Sequence, residues 1–207
     1  MSDTLTALPD NRIIAFQLRN TGDANVLGAV NDSTRQVTVY LPFYYELVFM
    51  QPKITVPDGA SVFPGPDSLI SILDTAAIRY TVTGKSGSKA TYTVHTIMQQ
   101  PVLRINDASS AGNTNVYNIA AKSVWIGITG ENIIPSYNVT SLYLVDKDGK
   151  RLYKFHEADQ ENATTTSIAF ELGQSDKALF KPDTDYWLEL QCYSLVARMQ
   201  YPVRFTQ

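Results

Sequence analysis

Almost every patterned stretch of this chain alternates apolar and polar residues with a period of two, and almost none repeats at 3.6. In residues 35–41, Val37, Val39 and Leu41 share one face. Residues 78–83 alternate again, the Gly-rich segment 84–88 follows, and residues 90–96 return. Two β-branched, aromatic-rich runs around a short Gly/Ser loop predict a β-hairpin. Val124, Ile126 and Ile128 share a face of residues 123–129. Residues 141–145 and 151–156 flank a loop whose Gly149 suits a positive φ. Residues 186–195 and 196–205 read as two closing strands. The one segment that reads as a helical turn in the first half is 68–77. Many short strands with turns every ~8–12 residues predict an all-β chain of antiparallel sandwich type. The absence of a strand–helix–strand rhythm argues against an open parallel sheet.

The chain has 207 residues, enough for one large core or two small ones. Its pattern lapses at Gln99, Gln100 and Pro101 and in the polar run 106–113, with strand signals on both sides. The expected organisation is a disordered leader over residues 1–11, one sandwich over 12–100 and a second over 101–207. The leader lacks the basic start and apolar stretch of a signal peptide. A cytoplasmic protein and an exported chain without its signal both remain open on that ground. Seventeen basic and 20 acidic residues, close to balance within each half, argue against a nucleic-acid surface, which needs a basic stripe. No apolar run reaches the ~18 residues of a membrane-crossing helix. One cysteine and two histidines leave few options for a metal site, and neither a metal nor a cofactor is expected.

The first half carries, in order, IIAFQL, VLGAVNDSTRQVTVYLP, PKITVPDGASVFP and IRYTVTGKSGSKATYTV. This succession resembles the small β-sandwich domains of unknown function near the N-termini of surface lipoproteins from anaerobic gut bacteria. The likeness covers residues 12–97, with more aromatics at 43–45 than the usual polar loop. IGITGENI, residues 126–133, resembles the early strand of IPT/TIG-type immunoglobulin-like domains. The resemblance implies two tandem immunoglobulin-like antiparallel β-sandwich domains. It also implies export to the outer membrane or cell surface, with membrane contact only through a lipid anchor upstream.

The residues themselves offer little catalytic chemistry. No G-x-S-x-G, H-E-x-x-H or P-loop spacing occurs. His95 and His156 read as surface residues, and Cys192 shares the core register of Tyr186, Leu188 and Leu190. Asp146-Lys147-Asp148-Gly149 lacks the further oxygen ligands of a calcium loop and reads as a turn. We therefore expect no enzyme and no catalytic residues.

The informative residues are aromatics out of step with the core. Trp187, Glu189, Gln191 and Tyr193 form the second face of their strand, two rings with a carboxylate and an amide. Trp125 alternates against Val124 and Ile126, and for it packing is favoured over ligand contact, so a glycan is expected first at the Trp187 face. Phe43, Tyr44 and Tyr45 follow Pro42, where they serve either a ligand or a domain interface. Arg151, Tyr153, Phe155 and Glu157 make a further mixed face. Sugar rings stack their C–H faces on aromatic planes while their hydroxyls seek polar partners, so such faces suit a glycan. Packing under loops is the competing role, since Trp is highly buried on average. The expected function is a non-catalytic cell-surface binding or spacer module accessory to glycan capture, with a polysaccharide or surface protein as partner. The alternative is an adhesin or pilus-like assembly protein that binds through a sheet edge, with 196–205 as the edge strand.

Overall fold

Alternation predicts strands whose apolar faces must meet, and a computed structural model shows how they do so. It describes residues 8–65, 68–73, 78–158 and 162–206. Residues 1–7 of the expected leader lie outside the described residues. The chain divides into two compact units, residues 1–99 and 100–207. Both are built almost wholly of β-structure, in sandwich-like sheets.

The first unit contains β1 (Ala15–Leu18), β2 (Leu27–Asn31), β3 (Gln36–Pro42), β4 (Phe49–Met50), β5 (Pro52–Thr55), β6 (Ser61–Phe63), β7 (Ile70–Ser71), β8 (Ile78–Thr83) and β9 (Lys89–Gln99). Seven of these form one sheet in the order β5-β1-β2-β3-β9-β8-β6, with β3 and β9 parallel. The sheet curls on itself. Phe16 of β1 and Tyr80 of β8 lie four places apart in the strand order, yet their rings meet edge-on at 6.1 Å. Val37, Val39, Leu41, Tyr92 and Val82 fill the space between them. Gly28 permits this curl, because a Cβ there would sit 2.7 Å from Val37 and 2.9 Å from Phe16.

The Tyr92 hydroxyl ties the core to the surface. It donates to Asp32, and it accepts from Arg35 at 2.6 Å and from the Ile13 amide at 3.3 Å. Asp10 also has a defined place, accepting from the Ser86 amide at 2.9 Å and the Ser88 hydroxyl at 3.0 Å in the β8–β9 turn. The predicted helical turn at 68–77 is instead strand where described: Ile70–Ser71 pairs with Phe49–Met50. Ile70 and Ile72 pack alternately on the core, so the period is two. Residues 74–77 lie outside the described residues.

The second unit contains β10 (Arg104–Ile105), β11 (Asn115–Asn118), β12 (Val124–Glu131), β13 (Thr140–Val145), β14 (Arg151–Lys154), β15 (His156–Glu157), β16 (Ser167–Leu172), β17 (Trp187–Cys192), β18 (Leu195–Arg198) and β19 (Val203–Thr206). One sheet runs β10-β12-β16-β15 and the other β14-β13-β17-β18. Val124, Ile126, Ile128, Ile168, Phe170 and Leu172 bury the inner face of the first, and Leu142, Leu144, Leu188, Leu190 and Cys192 that of the second. The Cys192 thiol accepts from the Thr140 hydroxyl at 3.3 Å, and burial raises its pKa.

The expected closing strand 196–205 is two strands. Gln200, Tyr201 and Pro202 interrupt it, and β19 then pairs in parallel with β11. Its C-terminal part is therefore not a free edge. β18 ends its sheet.

Tyr80 is fully buried, and its hydroxyl has no hydrogen-bond partner among the described residues. Burial pushes its pKa up to about 12. The folded state thus favours the neutral phenol, so stability is present below the ordinary value of 10.0 and is lost as pH rises towards 12. Tyr80→Phe should leave stability unchanged or raise it by about 1–2 kcal/mol, since an orphaned buried hydroxyl is costly. It should also flatten part of the alkaline loss. Urea midpoints at pH 8 and pH 11 check both effects; a large loss at pH 8 would show that the hydroxyl has a partner after all.

Candidate functional site

β12 and β16 pair so that Ile126 meets Phe170 on the inner face. The same register sets Trp125 against Glu171 and Gly127 against Ala169 on the outer face. β15 adds His156 directly across from Glu171. One row across three strands therefore reads Trp125, Glu171, His156. Trp125 is 51% exposed, a large fraction for a residue type that is usually well buried. A Cβ at Gly127 would meet nothing within 4 Å, so the surface beside the indole is an open shelf floored by Gly127 and Ala169.

The far end of the row is braced. His156 Nε2 lies 2.9 Å from Asp176 Oδ2, and the Tyr153 hydroxyl donates to the same oxygen at 2.9 Å. The Ser175 hydroxyl donates to the other oxygen at 3.1 Å. These contacts, His156 first and Tyr153 second, lower the Asp176 pKa. Burial, with Asp176 second, pushes the Tyr153 phenol up to about 12. The bracing depends on a missing side chain. A Cβ at Gly173 would stand 2.6 Å from Asp176 Oδ2 and 2.8 Å from His156 Nε2.

The face expected around Trp187 is arranged differently. Trp187 is half-buried, its indole N–H donates to the Gln200 carbonyl at 3.1 Å, and the Arg198 guanidinium lies 5.1 Å from its ring centre. It braces the bend between β18 and β19. Glu189 binds Arg151 at 2.8 Å, and Arg151 in turn lies 3.8 Å over the Tyr143 ring. Gln191 donates to the Tyr193 carbonyl at 2.7 Å. Tyr193 does not share their face. It follows the end of β17 with a φ of 51° and is buried, because the left-handed turn carries its ring out of the strand alternation. Phe155 likewise leaves the expected mixed face of Arg151, Tyr153 and Glu157: the ladder breaks there between β14 and β15, and Phe155 turns into the core.

In the first unit, Phe43, Tyr44 and Tyr45 form one 3-10 turn. Tyr45 packs on the core, while Tyr44 is 64% exposed and tilts on Tyr45 at 4.8 Å.

Sequence reasoning marked Trp125 but missed its neighbours. Glu171 and His156 come from strands whose register no local pattern reveals, and Asp176 sits on a 3-10 turn. Among the described residues, no group of His, Cys, Asp and Glu gathers with the spacing of a metal site.

Residues 13–96 match the model of the family described as SGBP, N-terminal. The family marks a surface, glycan-binding-related module of Bacteroidetes. The match lies within the first unit and stops before β10. Among solved structures, the chain is similar to a protein from Bacteroides thetaiotaomicron described as a candidate glycoside hydrolase. The identity is 10%, the TM-score 0.38, and the match covers 99% of this chain and 86% of the other. A DUF4623 family protein from Bacteroides eggerthii matches at 9% identity and a TM-score of 0.38, over 91% of this chain and 49% of its own. Murine CEACAM1b matches at 11% identity and a TM-score of 0.28, over 97% of this chain and 89% of its own. Likenesses this distant say nothing of function. None of the curated proteins matches the chain.

Gly173→Ala should displace the Asp176 and His156 side chains, which are flexible at the point of contact, while Gly173 itself has an ordinary φ of −60°. The Asp176 pKa should then rise towards its ordinary value, with little change in thermal midpoint. Carboxyl carbon shifts followed by NMR titration read the change. An unmoved Asp176 would mean that the contact with His156 does not set its pKa.

Proposed function

We propose that the chain is a non-catalytic module exposed on the cell surface, that it binds glycan, and that the outer face of β12, β16 and β15 is the contact. The observation that carries this reading is Trp125, half-exposed beside the open shelf over Gly127. An apolar plane with a few polar groups placed beside it is the composition of a recognition site, and Glu171 and His156 supply those groups. The match of the first unit to a glycan-binding-related family supports the reading. In this account the first unit belongs to a surface lipoprotein whose anchor lies upstream, and the second is of the IPT/TIG type.

Trp187 ranks below Trp125 because its indole N–H is already spent on Gln200 and Arg198 lies over its ring. A half-exposed indole offers roughly 100 Å² of apolar surface, about 2.5 kcal/mol if fully covered at ~25 cal/mol per Å² and before ordering costs. Trp125→Ala should therefore weaken glycan retention by roughly 10- to 50-fold in affinity gel electrophoresis, with the thermal midpoint nearly unchanged. Trp187→Phe should keep retention. Equal retention by Trp125→Ala and wild type across a panel of soluble polysaccharides would sink the assignment.

A further inference from the structure

Three glycines lie inside described strands, and a glycine there weakens the strand unless something needs the space. Packing accounts for two of them. A Cβ at Gly28 would stand 2.7 Å from Val37, and one at Gly130 would stand 2.0 Å from the Arg104 carbonyl oxygen. Gly127 has no such reason. Its φ is not left-handed, the β12–β16 register runs unbroken past it from Val124 to Thr129, and a Cβ there would meet nothing within 4 Å. A strand glycine with neither a bulge nor a packed neighbour marks a place where a ligand comes close to the backbone.

The neighbours of Gly127 give that approach a direction. Trp125, Gly127 and Thr129 follow one another on the outer face of β12, opposite Glu171, Ala169 and Ser167 of β16. Trp125 stands half-exposed at one end. At the other end the Asn106 amide donates to the Thr129 carbonyl at 2.8 Å, and Asn106 Nδ2 donates to the Thr129 hydroxyl at 3.0 Å. That hydroxyl keeps its own proton to donate, and Asn106 Oδ1 is an acceptor with no partner among the described residues. Ser167, across from Thr129, adds a second hydroxyl. Beyond this end Arg104 and Glu131 pair with each other at 3.1 Å. A strand residue rises about 3.4 Å, so Trp125 to Thr129 spans roughly 13–14 Å, the length of about three linked sugar rings.

We propose that the glycan lies along β12 and that this strip reads an unbranched, ribbon-like chain. The first ring stacks on Trp125, the next lies flat on the backbone at Gly127 and Ala169, and the third exchanges hydrogen bonds with Thr129, Asn106 and Ser167. The proposal rests on the reading of this face as a glycan site and names the class of glycan. The middle position sets that class. A ring settles there only with a flat face down and no substituent pointing at the sheet. A β-1,4-linked chain of glucose or mannose is extended and offers such faces, whereas an α-1,4-linked chain coils away from a straight strip. Gly127 thus determines specificity through the side chain it lacks.

The test uses the full chain and titration calorimetry with β-1,4-linked oligosaccharides of glucose and of mannose, two to six rings long, set against maltohexaose. At least one β-linked series should bind, gaining at least tenfold from two rings to three and little beyond four. Maltohexaose should bind at least tenfold more weakly than the six-ring member of that series. Gly127→Val should lose at least tenfold in affinity while its thermal midpoint holds or rises, because Val is the better strand former. Asn106→Ala should lose roughly three- to tenfold for the three-ring ligand, the scale of one hydrogen bond, and little for the two-ring ligand. Binding by Gly127→Val at wild-type strength overturns the proposal, as does equal or tighter binding of maltohexaose, or no gain beyond two rings. Failure of both β-linked series to bind overturns it too, whatever the polysaccharide panel retains. Equal retention of Trp125→Ala and wild type on that panel is the separate result that removes the reading of the face as a glycan site, and the proposal with it.

Discussion

The register between β12 and β16 is the constraint on which the second unit depends. Ile126 opposite Phe170 and Val124 opposite Leu172 close the core, and the same pairing sets Trp125 opposite Glu171. A slip of one residue in a strand ladder moves every side chain to the other face. Here a slip of β12 would bury Trp125 and expose Ile126, and a slip of β16 would bury Glu171 and expose Phe170. The apolar core that stabilises the sandwich is therefore also what holds the outer row in place, and the row needs no contacts of its own for its position. Gly130 protects the neighbouring part of the ladder. Its missing Cβ leaves room for the Arg104 carbonyl, which would lie 2.0 Å from it.

Two tryptophans with opposite environments follow from this architecture. Trp187 faces outwards from β17, but the chain bends back over it between β18 and β19. Gln200 takes its N–H and Arg198 covers its ring. Trp125 faces outwards from β12 with small residues, Gly127 and Ala169, beside it. The sequence offers both rings to solvent by the same alternation rule. What separates them is the path of the chain above each sheet, which alternation does not encode.

Most of the fold was legible because burial imposes period two on each strand. The inward sets Val37, Val39, Leu41 and Val124, Ile126, Ile128 are buried as the alternation requires. The reading failed where that period lapses. Tyr193 lies past the last residue of β17, in a left-handed turn, and Phe155 sits at a break between two short strands. Pro202 marks an interruption that alternation had run through. Of the candidate site, Trp125 was legible as an aromatic out of step with its core. Glu171, His156 and Asp176 were not, because they meet through pairings between strands distant in sequence. Gly173 gave no signal either, since its role is to leave space for the contact of His156 with Asp176.

The central claim is that glycan meets the chain at Trp125. With only two tryptophans in the sequence, the two indole N–H resonances of a ¹⁵N-labelled sample report directly on it. On titration with a neutral oligosaccharide that binds, the Trp125 indole and the amides of β12, β16 and β15 should shift together, while the Trp187 indole, held by Gln200, should stay in place. Shifts centred on Trp187, or on the first unit with Trp125 unmoved, would contradict the account.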